Sequence, residues 1–244
     1  MVPPRPRVAA VRLAVRGVLF DLDGTLLDTS GPIGRSWTRW AVEHDVTAAD
    51  FVRVGSHGRR SVDLVAALVP AERAEPALAR IRALELDDVA GIVAIPGAAA
   101  LLRALPAAAW GIVTSGDRAL ATARLRASEL DFAVDRLLVT GEEVHAGKPD
   151  PAPYAAGAAA LGLDPADCLV VEDAPAGVAS GVAAGARTLA LTTTVAREEL
   201  TAADVVVADL SAVAVVSTDL SDGAGIVLDV DGERVAEPMP STER

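Results

Sequence analysis

The chemistry in this chain starts where an apolar run leads straight into two carboxylates: Val18-Leu19-Phe20-Asp21-Leu22-Asp23-Gly24-Thr25. Alternate residues of an extended strand point the same way, so Asp21 and Asp23 share one side at the place where a strand would run out. One carboxylate could attack an electrophile while the other, held protonated, donates to the leaving oxygen. Gly24 lets the backbone turn away directly after the pair. Two solvated acids at a strand end are the plain alternative, and a buried lead-in to Asp-X-Asp-Gly-Thr makes it a poor one.

Asp-Leu-Asp-Gly-Thr at 21–25 resembles the first motif of the haloacid dehalogenase-like hydrolases, in its phosphatase form. The dehalogenases of that superfamily lack the second aspartate, which stands here as Asp23. The resemblance demands three further motifs in order, and each has a counterpart. Gly111-Ile112-Val113-Thr114-Ser115-Gly116 supplies a hydroxyl after an apolar run. Thr114, Ser115 and the amide of Gly116 there suit a phosphoryl oxygen, though Thr-Ser-Gly alone is ordinary turn chemistry. Gly147-Lys148-Pro149-Asp150-Pro151 supplies a lysine, and the chain has 21 Arg but a single Lys. A compact ammonium bridging Asp21 and a phosphate is not replaceable by a guanidinium fork, which accounts for the one exception to an arginine bias. Val170-Val171-Glu172-Asp173-Ala174-Pro175 supplies the closing acidic pair.

The resemblance implies in-line phosphoryl transfer on a small phosphate ester. Asp21 is the expected nucleophile, Asp23 the acid and then base, and Lys148 a charge partner of the phosphate. Mg²⁺ is the implied cofactor. Asp21, the main-chain carbonyl of Asp23 and Asp173 are its expected ligands, with Glu172 a further or outlying one, since Mg²⁺ favours a few carboxylates plus water and phosphate. A helical insert after the first motif would be the cap that reads the leaving group. Within it, Ser56-His57-Gly58-Arg59-Arg60-Ser61 resembles the His-Gly-X-Arg segment of glycerol-phosphate and 2-deoxyglucose-6-phosphate phosphatases, making His57, Arg59 and Arg60 expected substrate contacts. Trp-X-Ile-Val-Thr-Ser-Gly and Gly-Lys-Pro-Asp-Pro-X-Pro-Tyr are similar too. Sugar-phosphate mutases of the superfamily share the four motifs but carry an acid–base histidine about twelve residues after the nucleophile, where this chain has Ile33. A catalytically idle binding or regulatory member would also fit the fold, but all four motifs are intact. A receiver domain explains neither Asp-Gly-Thr nor the insert.

The elements that must position these residues are legible as a rhythm. Val/Leu-rich runs at Val15–Asp21, Trp110–Thr114, Arg136–Thr140, Cys168–Glu172, Thr188–Leu191 and Asp204–Val207 read as buried strands. Helical stretches such as Arg118–Leu130, Pro153–Leu161 and Gly177–Ala184 fill the intervals. Doubly apolar strands alternating with helices predict an α/β fold, a Rossmann-like, doubly wound parallel sheet. Residues 30–96 break the rhythm with amphipathic pattern only, as at Ser61–Leu68 and Arg73–Leu86, too long for one crossover. The expected layout is a core of 15–29 and 97–221, an α-helical cap of 30–96, and a terminal piece of 222–244 in which Gly225–Val235 alternates around Asp-Gly like a hairpin. Trp37 and Trp40, three apart, read as cap core rather than a substrate stack.

Bulk properties narrow the partners. The chain has 244 residues, 22 basic against 34 acidic, for a net charge of −12. Nucleic acid and anionic membranes are disfavoured, because both need clustered cations. No run approaches the roughly 20 apolar residues of a membrane span, and the first sixteen residues, with four Arg and three Pro, lack the apolar stretch of a signal peptide. A cytoplasmic protein is expected, with a monomer favoured. Cys168, the only cysteine, reads as a small core residue.

Overall fold

The computed structural model describes residues 11–55, 58–218 and 225–234. The first apolar run, Val15–Asp21, forms one strand as expected, preceded by a separate strand that ends at Val15. β1 (Val11–Val15) alternates buried and exposed, while β2 (Gly17–Phe20) is buried throughout. They part at Arg16, whose N–H turns to the Asp167 carbonyl at 2.7 Å. Their burial patterns tell why: β1 lies in a half-solvated sheet and β2 in the centre of a doubly covered one.

After β2 come a short strand β3 (Leu27–Asp28) and four helices, α1 (Ser30–His44), α2 (Ala48–Val54), α3 (Ser61–Leu68) and α4 (Ala71–Asp87). They close on a small core of their own, formed by Trp40, Val65, Val69, Ala77, Ile81 and Leu84. Trp37 and Trp40 meet edge to face at 5.2 Å, and the Trp40 indole donates to the Ala77 carbonyl at 2.8 Å. The pair is packing, as its spacing suggests. This is the inserted helical cap. It returns through β4 (Val93–Ala94), which pairs antiparallel with β3, so two short strands form the stem.

The remaining core elements are α5 (Ala98–Ala104), β5 (Trp110–Val113), α6 (Arg118–Arg126), β6 (Leu137–Val139), α7 (Ala152–Ala160), β7 (Cys168–Glu172), α8 (Pro175–Ala183), β8 (Arg187–Leu191) and β9 (Val205–Val207). β10 (Val213–Ser217), β11 (Ile226–Val230) and β12 (Glu233–Arg234) follow. The main sheet runs β12-β9-β8-β7-β2-β5-β6, and all of its pairs are parallel except the edge pair β12–β9. It is an α/β, Rossmann-like sheet of six parallel strands. From β2 the chain winds outward through β5 and β6, then restarts at β7 on the other side. The carboxyl end of β2 is therefore the switch point, where a crevice opens between neighbouring strand ends.

The expected terminal hairpin does not form. β11 inserts between β1 and β10, antiparallel to both, while β12 joins the edge strand β9 of the main sheet. Ile226, Leu228 and Val230 are fully buried on the side that β1 also buries. The alternation in this segment is real, but it matches partners more than 200 residues away, which local turn chemistry cannot disclose. Among the described residues no helix is long and apolar enough to cross a membrane.

Candidate active site

Asp21 follows β2 directly, and its N–H still donates to the Val171 carbonyl of β7 at 3.0 Å. The side chain thus leaves the sheet at the switch point, where it is buried. Lys148, from the loop before α7, brings its ammonium to Asp21 Oδ1 at 2.5 Å and to Glu172 Oε1 at 2.6 Å. Glu172 ends β7 and has no idle oxygen. Oε1 also accepts from the Tyr154 hydroxyl at 2.7 Å, and Oε2 from the N–H groups of Asp173 at 3.1 Å and Ala174 at 3.3 Å. Asp173 is held from both sides, by Thr25 Oγ1 at 3.0 Å and Thr194 Oγ1 at 2.5 Å. The chain can pack this tightly only where side chains are missing. A Cβ on Gly24, whose φ is +90°, would lie 2.2 Å from an Asp173 oxygen, and one on Gly177 would lie 1.8 Å from Glu172 Oε1.

Oxygens of Asp21, Glu172 and Asp173 lie within 4.8 Å of one another, all three residues buried. One ammonium cannot balance three carboxylates in a site with little water. Burial pushes the Asp21 carboxyl well above its usual range, with Lys148 opposing and Glu172 adding to the shift. Burial and then Glu172 push Asp173 up to about 7. Burial works against the Lys148 ammonium too, but Asp21 and Glu172 outweigh it and raise its pKa. An excess of hard oxygen donors around a single cation fits a divalent ion such as Mg²⁺. Asp21 and Asp173 have the better claim as ligands, because the oxygens of Glu172 are already taken by Lys148, Tyr154 and two amides.

Asp23 lies on the turn after β2, and its Oδ2 accepts from Arg124 of α6 at 2.8 Å. Thr114 sits buried at the end of β5, its hydroxyl oxygen accepting the Gly116 N–H at 3.1 Å. Ser115 reaches the cap, donating to the Gly58 carbonyl at 2.8 Å. His57 lies outside the described residues. Arg59 uses one N–H on the Val54 carbonyl at 2.8 Å. Arg60 grips both oxygens of Asp63 at 2.7 and 2.9 Å and the carbonyls of Gly141 and Val144 at 3.2 and 3.0 Å. Four of its five N–H donors are thereby used, and it ties α3 to the loop that leads to Lys148.

Thr25, Thr194, Tyr154, Arg124 and Glu85 join this cluster without having been singled out by sequence reasoning. Tyr154 carried a signal, being the only tyrosine and the last residue of the Gly-Lys-Pro-Asp-Pro-X-Pro-Tyr run. Arg124 carried none, as one arginine among 21.

A profile of the haloacid dehalogenase-like hydrolases matches residues 15–185. The chain belongs to that family. Hexitol phosphatase A of Escherichia coli (strain K12) is 39% identical to this haloacid dehalogenase-like hydrolase over 206 residues, which cover 82% of this chain and 94% of the relative. Glycerol-1-phosphate phosphohydrolase 2 of Saccharomyces cerevisiae is 34% identical over 194 residues, covering 75% of this chain and 76% of the relative. Among solved structures, a hydrolase from Pseudomonas syringae superposes with a TM-score of 0.70 at 27% identity, covering 78% of this chain and 90% of that one. The chain is an enzyme, a phosphomonoester phosphatase of the haloacid dehalogenase-like family.

Proposed function

We propose that this hydrolase cleaves a small polyol or sugar phosphate through an aspartyl-phosphate intermediate on Asp21. The observation that carries the reading is the buried Lys148 ammonium, held against Asp21 and Glu172 within an acidic cluster. An oxygen of Asp21 attacks phosphorus while Asp23 gives a proton to the departing alkoxide. Asp23 then takes a proton from the water that hydrolyses the acyl phosphate, restoring both carboxyls. Lys148 offsets charge on the phosphoryl oxygens, and the Thr114 hydroxyl with the Ser115 amide supplies donors to them, while the Gly116 N–H orients that hydroxyl by donating to its oxygen. Mg²⁺ would be held by Asp21, Asp173 and the Asp23 carbonyl, with Glu172 behind them, and would supply positive charge to the transferring group. The polyol or sugar assignment is supported by relatives that act on hexitol phosphates and glycerol 1-phosphate. His57 and Arg59 are proposed to face the leaving group, whereas Arg60, expected there too, has its donors taken by Asp63 and the Gly141 and Val144 carbonyls. Arg59 makes one hydrogen bond among the described residues, to the Val54 carbonyl.

A panel of phosphorylated polyols and sugars, assayed for free phosphate with and without Mg²⁺, tests the reading. Phosphate release that requires Mg²⁺ supports it, and Asp21→Asn should abolish turnover. Isomerised sugar phosphate without free phosphate would favour a mutase, a reading that the half-buried Ile33, which cannot move a proton, does not support.

A further inference from the structure

Arg124 is buried in α6 and spans two carboxylates. One arm donates to Asp23 Oδ2 at 2.8 Å, and the other to Glu85 Oε1 of the cap helix α4 at 3.1 Å. The second oxygens, Asp23 Oδ1 and Glu85 Oε2, are buried with no hydrogen-bond partner among the described residues. Charges sequestered this way carry a desolvation cost that apolar side chains of similar volume would not. A planar fork fixes two partners in one rigid geometry, which an ammonium on a flexible stem holds less strictly.

We propose that Arg124 is a positioning residue for proton transfer at Asp23, and that Glu85 holds Arg124 for that task. The inference rests on the reading of Asp23 as acid and base. Arg124 occupies Oδ2 and leaves Oδ1 to exchange the proton. In the first step the Oδ1–H proton passes to the leaving alkoxide as its bond to phosphorus breaks and the Asp21–phosphorus bond forms. In the second, Oδ1 takes the proton of the attacking water, and Arg124 keeps its own protons throughout. Because Glu85 lies on α4, the proton donor is aligned by the way the cap sits. Arg82, one turn earlier on α4, adds an ion pair to Asp117 at the start of α6 at 3.2 Å, so the two helices are joined at two points.

The test is the dependence on leaving group. A nitrophenolate departs without a proton, whereas an alkoxide needs one. Kinetics of Arg124→Lys, Glu85→Gln and Asp23→Asn are compared on p-nitrophenyl phosphate and on a polyol phosphate the wild type hydrolyses. The lysine variant keeps the buried charge, so it guards against misfolding. For Arg124→Lys we expect kcat/KM, which reports the first step alone, to fall at least about tenfold on the polyol phosphate and less than about threefold on the aryl ester, while kcat on both carries any slowing of the shared second step. Glu85→Gln should shift in the same sense by less. If Asp23→Asn shows this selectivity and Arg124→Lys lowers both substrates equally or neither, the positioning role is refuted while Asp23 keeps its own. If Asp23→Asn itself shows no selectivity, the acid–base reading fails and this inference with it.

Discussion

At the scale of single residues, the site depends on one small cation among oxygens. The Lys148 ammonium also stands 4.9 Å from the Tyr154 ring centre, so it is enclosed on a third side. A guanidinium in that space would displace either Asp21 or Glu172. Lys148→Arg should therefore lower kcat on the order of a hundredfold although charge is kept; steady-state kinetics would show it, and near-normal turnover would contradict the packing argument. Asp173 gives a pH prediction. In the metal-free fold its pKa is pushed up to about 7 from an ordinary 3.8. Between those values the folded chain binds a proton that the unfolded chain has lost, so stability should fall as pH rises from about 4 to 7 and level off above. A divalent ion selects the ionised carboxylate and opposes that loss. Thermal unfolding at pH 5 and pH 8, with and without Mg²⁺, should show the larger stabilisation at pH 8. Equal shifts at both would mean that the ion does not meet Asp173.

At the scale of elements, α8 begins where β7 ends, and Gly177 in its first turn lies against Glu172. Alanine in place of glycine in a helix ordinarily stabilises by about 1 kcal/mol. Here Gly177→Ala should do the reverse, because its Cβ would occupy the space of Glu172 Oε1 and loosen Lys148. Urea unfolding and kcat should both drop, and a gain in stability with full activity would refute the contact. The parallel strands were legible because burial on both faces writes itself as unbroken Val/Leu runs, as in Cys168–Glu172. Three of the four motifs were legible because each sits directly beyond such a run, while Lys148, in a loop well past β6, stood out as the single lysine. What stayed hidden depended on contacts between distant segments. Arg16 divides β1 from β2 through a bond to Asp167, and Arg124 reaches Asp23 across 101 residues of chain. Nothing local distinguishes such an arginine from the others. The use of Arg60 as a tie to the Gly141–Val144 carbonyls was hidden for the same reason.

For the whole molecule, the chain is tied together by its far ends. β11 is the middle strand of the sheet that holds β1 and β10. Truncation after Thr218 would remove the buried Ile226, Leu228 and Val230 and leave both flanking strands unpaired. We expect a fall in unfolding free energy of several kcal/mol, since each large buried aliphatic contributes roughly 2 kcal/mol, with a tendency to aggregate through the bared edges. Denaturant melts and light scattering would check this, and an unchanged midpoint would show the sheet to be dispensable. The arginine bias has a practical outcome at this scale. Because the single lysine is only about 2% exposed, amine-reactive reagents should leave it untouched in the native protein. Labelling of Lys148 would then report, by mass spectrometry, the moment the catalytic centre opens.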